Sequence, residues 1–434
     1  MFRHRTGANN VEDRIVSVRA QQIIDCKCRP AVEVEIRTEG GAVGRGAAPT
    51  GTSVGMHESV VLRDGDPSTY KGLSVHKAVD NAANVIGPAL FGMNVFDQRS
   101  IDERMIALDG TPDKSRLGGN TIYSVSIAAF RAAAAACSIP LYKHIAGRDI
   151  CTVPVPCFNV INGGRYDVLT QAFNEFLIVP YGTDSVDFSI EMAVAVFQKL
   201  SDILTEYLGH KPQVASSYGY AAPSDDPEVI LELMQRAIDR CGYTRRIAFA
   251  LDCASSEMYD KETCTYLLKG KRVSSDELIA YAKCLTERFN LVFIEDLLDE
   301  NDWTGYCKAV RELKRTIVLG DDLTVTNLAL LRKAHETRAV DGFVLKPNQV
   351  GTITEAMDAY RFAEQHGMIA VPSGRSGGVV DDVVMDFSVG LEVPLQKNGA
   401  PRSGERIEKL NFLMRANARS PGCRLYDISP LLRF

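Results

Sequence analysis

The chain of 434 residues is 45% hydrophobic and 24% charged, the balance of an ordinary globular protein that is too long for one small core. A count of 49 Lys and Arg against 55 Asp and Glu leaves a formal charge of −6, which argues against a general nucleic-acid or membrane-surface role. The most apolar helical stretch, IAAFRAAAAACSIP (127–140), is interrupted by Arg131 and stopped by Pro140, so no membrane span is expected.

The N-terminal MFRHRTGANNVED lacks an apolar signal region, and residues 1–14 are expected to form a polar, mobile extension. The eleven cysteines are scattered without a C-x-x-C pair and read as reduced thiols of a cytoplasmic protein; Cys26-Lys27-Cys28 is their closest spacing. From Ile15, IVSVRAQQIID and AVEVEIRTEGG alternate apolar and polar residues, as strands with a Gly-Gly turn do. A small-residue stretch, GAAPTGTSVGMHE (46–58), follows, and helical patterning then runs to Ala146. Residues 15–146 are therefore predicted as an α+β unit.

Residues 147–434 open with VPVPCFNVINGG (153–164) and then alternate short apolar runs with amphipathic helical segments. The runs are RIAFALD, NLVFIED, TIVLGDD, DGFVLKPN and GMIAVPSGRSG. They end at Asp252, Glu295, Asp321, Lys346 and Arg375, separated by 43, 26, 25 and 29 positions. A unit of about 25–30 residues is what a β/α barrel repeats, with its functional groups at the C-terminal strand ends. VASSYGYAAP (214–223), rich in Ser and Gly and without charge, reads as a loop between helices.

Three carboxylates on one barrel face would repel unless a cation neutralises them, and an all-oxygen set favours Mg²⁺ or Mn²⁺. The alternative is that each acid caps the following helix. Lys346, Arg375 and, further on, Lys397 change the sign of the later strand ends, which suits an anionic substrate carrying phosphate or carboxylate. Serine and glycine beside Arg375 let backbone approach a phosphate, and a lysine held among cations can act as a base.

VINGG (160–164), LDCASSE (251–257), IED (294–296), DDLTVTN (321–327), NQVGT (348–352), GRSG and KNGAP (397–401) occur in an order that resembles the enolase family. RDGD (63–66) and SRLGGN (115–120) extend the resemblance, which runs from Ile15 to Arg415. It implies an α/β fold, an enolase-like modified (β/α)8 barrel (147–434) with an N-terminal α+β capping domain (15–146), in a Mg²⁺-dependent homodimer. By the same resemblance Asp252, Glu295 and Asp321 are metal ligands, and Ser53 reaches a second Mg²⁺ that arrives with substrate. Lys346 is the base, Lys397 the carboxylate partner, Arg375 and Ser376 the phosphate contacts, and Glu175 a carboxylate on the acid side. A lysine base working beside Mg²⁺ is this superfamily's established strategy, and the strand spacing did not yield it.

The chain also departs from the family pattern. Tyr218 stands where enolases carry the glutamate of G-D-E-G-G, Tyr166 and Gly374 where they carry histidines, and Asn174 beside Glu175 where they carry glutamine. The departures cluster on the leaving-group side. A tyrosine, with an ordinary pKa of about 10, is a poorer proton relay than a carboxyl, and losing a positioned acid costs about 10²–10⁴-fold. The expected activity is therefore not dehydration but a phosphonoformyl transfer to a phosphorylated three-carbon acid. That is the chemistry of the carboxyphosphonoenolpyruvate synthases of phosphonate antibiotic pathways, with Tyr218 as a catalytic candidate and Tyr166 and Ser53 as substrate contacts. One alternative is a working phosphopyruvate hydratase with Glu175, Asp225 or Asp226 as acid; another is a non-catalytic binding protein.

Overall fold

The computed structural model describes residues 12–51, 55–164 and 171–434. The predicted site residues Ser53 and Tyr166 lie outside the described residues. So does most of the expected N-terminal extension, but Asp13 already belongs to the fold: it is buried and accepts hydrogen bonds from Thr38 Oγ1 at 2.6 Å and Gly40 N at 2.7 Å.

The N-terminal sheet is an antiparallel meander of Ile15–Ile24, Pro30–Thr38 and Val43–Ala47. Its central strand alternates as its sequence does, burying Val32, Val34 and Ile36. One face packs on the 18-residue helix Gly119–Ala136, and the close approach is set by two glycines. A Cβ at Gly44 would lie 2.1 Å from the Ala128 carbonyl oxygen, and one at Gly46 2.3 Å from that of Ser124. The helix is buried almost all round, because the barrel covers its other side.

Eight strands form the barrel: Val155–Gly164, Gln171–Pro180, Ile247–Asp252, Leu291–Glu295, Ile317–Gly320, Gly342–Leu345, Ile369–Pro372 and Leu395–Lys397. The eighth pairs in parallel with the first, and an isolated bridge between Ser373 and Lys397 joins the seventh to the eighth. The second strand runs antiparallel to both of its neighbours. Its N-terminal half therefore lies at the rim where the other strands end. A three-stranded insertion, Tyr259–Asp260, Thr265–Leu268 and Lys271–Val273, precedes helix Ser275–Arg288 and explains the long interval between Asp252 and Glu295.

The barrel interior is aromatic and aliphatic, with Phe158, Phe176, Phe249, Phe293 and Phe343 each at most 1% exposed. Helices enter behind side-chain caps, among them Ser185, Asp226, Asn327 and Thr352, and a full capping box of Ser274 with Glu277. None of Asp252, Glu295 and Asp321 is a helix cap. No helix among the described residues is long and apolar enough to cross a membrane.

Candidate active site

Asp252 and Glu295 are the last residues of adjacent strands and face each other in register. Both carboxylates accept from Lys397 Nζ, at 2.8 and 2.5 Å, with Glu175 Oε2 3.9 Å from the same ammonium. Asp321, just past the next strand, pairs with Lys346 Nζ and accepts from Gln349 Nε2 at 2.9 Å. The structure thus brings the predicted acids and both lysines into one buried cluster.

Those two lysines offset part of the charge of the carboxylates in the cluster. Against the cost of burial, Asp252, Glu295 and Glu175 hold the Lys397 ammonium well above the ordinary lysine range. Burial likewise opposes ionisation of Asp321, but Lys346 holds its carboxyl below the usual range. Burial and the nearby Asp252 push the Glu295 carboxyl well up.

The residues fit a divalent cation on an observation of this structure: Glu295 Oε1 is buried and has no hydrogen-bond partner among the described residues. Asp296, Asp321 and Asp322 also lie close enough together to hold a metal. Asp296, however, accepts the Asp321 and Asp322 amides on its two oxygens, each at 2.8 Å, and the Tyr306 hydroxyl at 3.2 Å. Its lone pairs are engaged in positioning the Asp321 loop, so the strand-end trio is the better cation site.

Glu175 lines the cavity from the second strand and Lys346 from the end of the sixth, on opposite sides of the eight-membered ring. Asn159 Nδ2 donates to Glu175 Oε1 at 2.8 Å and fixes the carboxyl. Burial pushes Glu175 up from the ordinary carboxyl range, with Lys397 opposing. Arg375 and Ser376 line the same cavity, with Arg375 held by Glu58.

Tyr218 is placed differently. Its hydroxyl donates to the Cys26 carbonyl at 2.6 Å, its backbone is left-handed (φ 71°), and Arg406 lies 4.8 Å over its ring. Ser216 and Ser217, not Tyr218, are the residues of this loop that line the cavity. Asp226 caps helix Pro227–Arg240 and pairs with Lys269, so it is occupied structurally.

Sequence reasoning missed Glu58, Gln349, Lys27, Arg406 and Lys409. Gln349 was visible inside NQVGT, and Lys27 inside the unexplained CKC. Arg406 and Lys409 carried a signal in their i, i+3 spacing on one helix face.

Residues 15–145 match the family model described as "Enolase, N-terminal domain", and residues 150–422 the one described as "Enolase, C-terminal TIM barrel domain". The chain belongs to the enolase family. It is 41% identical over 402 residues to a protein named Enolase from Methanococcus aeolicus, covering 92% of this chain and 94% of that one. It is also 41% identical over 406 residues to a protein named Enolase from Methanopyrus kandleri, covering 93% and 95%. These relatives overturn the expectation of a phosphonoformyl transferase in antibiotic biosynthesis. Membership of the enolase family supports a lyase, and neither transferase nor phosphonate chemistry has support. The four departures from the family pattern do not decide the chemistry: Glu175 keeps a buried carboxyl in the cavity, and the Tyr218 hydroxyl turns to the Cys26 carbonyl.

Proposed function

We propose that the protein is a Mg²⁺-dependent phosphopyruvate hydratase that removes water from 2-phosphoglycerate to give phosphoenolpyruvate. The observation that carries this reading is the opposition of Lys346 and Glu175 across the barrel mouth, with an acid trio between them. Elimination needs a base at the carbon beside the carboxylate and an acid at the departing hydroxyl. A base and an acid from opposite sides of the ring meet that need.

Lys346 Nζ takes the C2 proton. Glu175, fixed by Asn159 and raised by burial, gives a proton to the C3 hydroxyl as it leaves as water. Lys397 holds the substrate carboxylate, and Arg375 with Ser376 holds the phosphate. Asp252, Glu295 and Asp321 would hold Mg²⁺, which would supply positive charge to stabilise the anion formed when the C2 proton is removed. A second Mg²⁺ arriving with substrate belongs to the same reading, as does a cytoplasmic homodimer. Ile24 and Val380, 55% and 68% exposed near Cys26, offer apolar surface for a second copy to cover.

The test is a proton NMR time course in D₂O with Mg²⁺ and 2-phosphoglycerate. Vinyl signals of phosphoenolpyruvate, absent under chelation, are expected. Absence of vinyl product, with or without exchange of the C2 proton, would overturn the reading.

A further inference from the structure

The cavity has a second wall that the dehydration does not use. Lys27 comes from the N-terminal domain, and Arg406 and Lys409 lie one turn apart on helix Gly404–Ala418. Gly374 makes the room: a Cβ there would lie 2.3 Å from Lys409 Nζ, so the ammonium occupies space that any larger residue at 374 would claim. Lys409 is 4% exposed and pairs with Glu405 Oε1 at 2.6 Å. Arg406 is 5% exposed, donates to the Ser217 carbonyl, and lies 3.8 Å from Glu405.

Arg406 and Lys409 share the Glu405 carboxylate, and with Lys27 the residues lining the cavity include six cations against two carboxylates, Glu175 and Asp252. Asp382 Oδ2 lies 3.8 Å from the Cβ position at Gly374; burial pushes its carboxyl up from the ordinary range, with Lys409 opposing. Burial, then Arg29 and Arg406, lower the Lys27 ammonium, with Cys26 and Asp25 opposing. An enclosed surplus of positive charge beside serine hydroxyls and glycine backbone is what oxyanion recognition requires.

We propose that Lys27, Arg406 and Lys409, admitted by Gly374, form a second oxyanion subsite that takes a phosphate-type dianion beside the Arg375–Ser376 contact. The subsite stands independently of the dehydration reading. Its dianion has two sources: a second phosphate on the three-carbon acid, or free inorganic phosphate.

The experiment measures binding calorimetrically on the Mg²⁺-loaded protein, for wild type, Lys27→Gln and Gly374→Ala. In Gly374→Ala the new methyl clashes with the far end of a flexible lysine and meets Asp382 Oδ2 at an ordinary 3.8 Å, and no left-handed backbone requires glycine there. If the second phosphate is the source, 2,3-bisphosphoglycerate binds roughly tenfold or more tighter than 2-phosphoglycerate, and both variants bring that ratio near one. If free phosphate is the source, the ratio is near one throughout, and inorganic phosphate binds wild type at a second site that both variants weaken. A ratio near one with no second phosphate site, or behaviour unchanged in both variants, overturns the subsite. Phosphoenolpyruvate formation, followed separately, reports the reaction, so failure of one reading is distinct from failure of the other.

Discussion

Arg375 donates to both carboxylate oxygens of Glu58, at 2.7 and 3.1 Å, with both side chains 4% exposed. This fork joins the N-terminal domain to the seventh strand end at the cavity itself. Breaking such a pair from one side leaves a buried charge. Glu58→Gln is expected to lower stability to chemical denaturation by about 3 kcal/mol. Inorganic phosphate is expected to restore part of that loss by pairing the guanidinium. A variant as stable as wild type, or one indifferent to phosphate, would count against the role given to this pair.

The base and the acid separate experimentally. Lys346→Met should abolish both C2 exchange and dehydration, by about 10²–10⁴-fold. Glu175→Gln should reduce dehydration by about 10²–10⁴-fold while C2 exchange continues, because the base remains. Loss of exchange in the glutamine variant would assign Glu175 to the wrong step.

Metal and fold are linked through the strand-end trio. At about 100 times its Kd, Mg²⁺ is expected to add about 2.7 kcal/mol to unfolding stability, seen as a raised Tm against a chelated control. Asp321→Asn should remove most of that increment. An equal shift in the variant would place the ion elsewhere.

Tyr218 anchors its loop to Cys26. Tyr218→Phe is expected to cost about 1 kcal/mol of stability, the worth of one hydrogen bond, with kcat within about twofold of wild type. A large fall in kcat at unchanged stability would make the hydroxyl part of the chemistry.

Asp102 lies fully buried between the two domains. It accepts from Ser126 Oγ at 2.7 Å, Gln98 Nε2 at 3.0 Å and Thr354 N at 2.9 Å, and burial pushes its carboxyl up to about 6. The folded chain therefore holds this proton more tightly than the unfolded chain, whose aspartate has the ordinary value of 3.8. The contribution is full below pH 3.8 and is lost as pH rises through about 6. Asp102→Asn does not titrate there, so the stability gap between wild type and variant should shrink by about 3 kcal/mol across that window. Denaturation curves at several pH values measure it, and a pH-independent gap would refute it.

Much of the fold was legible because its signals are local. The five apolar runs each contain a barrel strand, with Asp252 and Glu295 as the last strand residues, Asp321 and Lys346 directly after their strands, and Arg375 in the loop beyond Pro372. The antiparallel second strand was not legible, since direction is set by pairing with neighbours and leaves no mark on a buried run such as AFNEFLIVP. The strand Leu395–Lys397, three residues long, is too short for any periodicity. In the site, acids at strand ends were readable from spacing. Glu58 was not, because its partner Arg375 lies 317 positions away and only folding joins them. Tyr218 misled for a related reason: its identity was read, but the direction of its hydroxyl depends on Cys26, 192 positions earlier.

The Ser373–Lys397 bridge closes the ring at the rim of the cavity that both residues line. The joint between the seventh and eighth strands is thus a seam, fastened beside the place where a ligand sits. A molecule touching both sides would act as a clasp, lengthening the lifetime of the closed ring more than its contacts alone imply. Amide exchange along Leu395–Lys397 would slow first when such a molecule arrives.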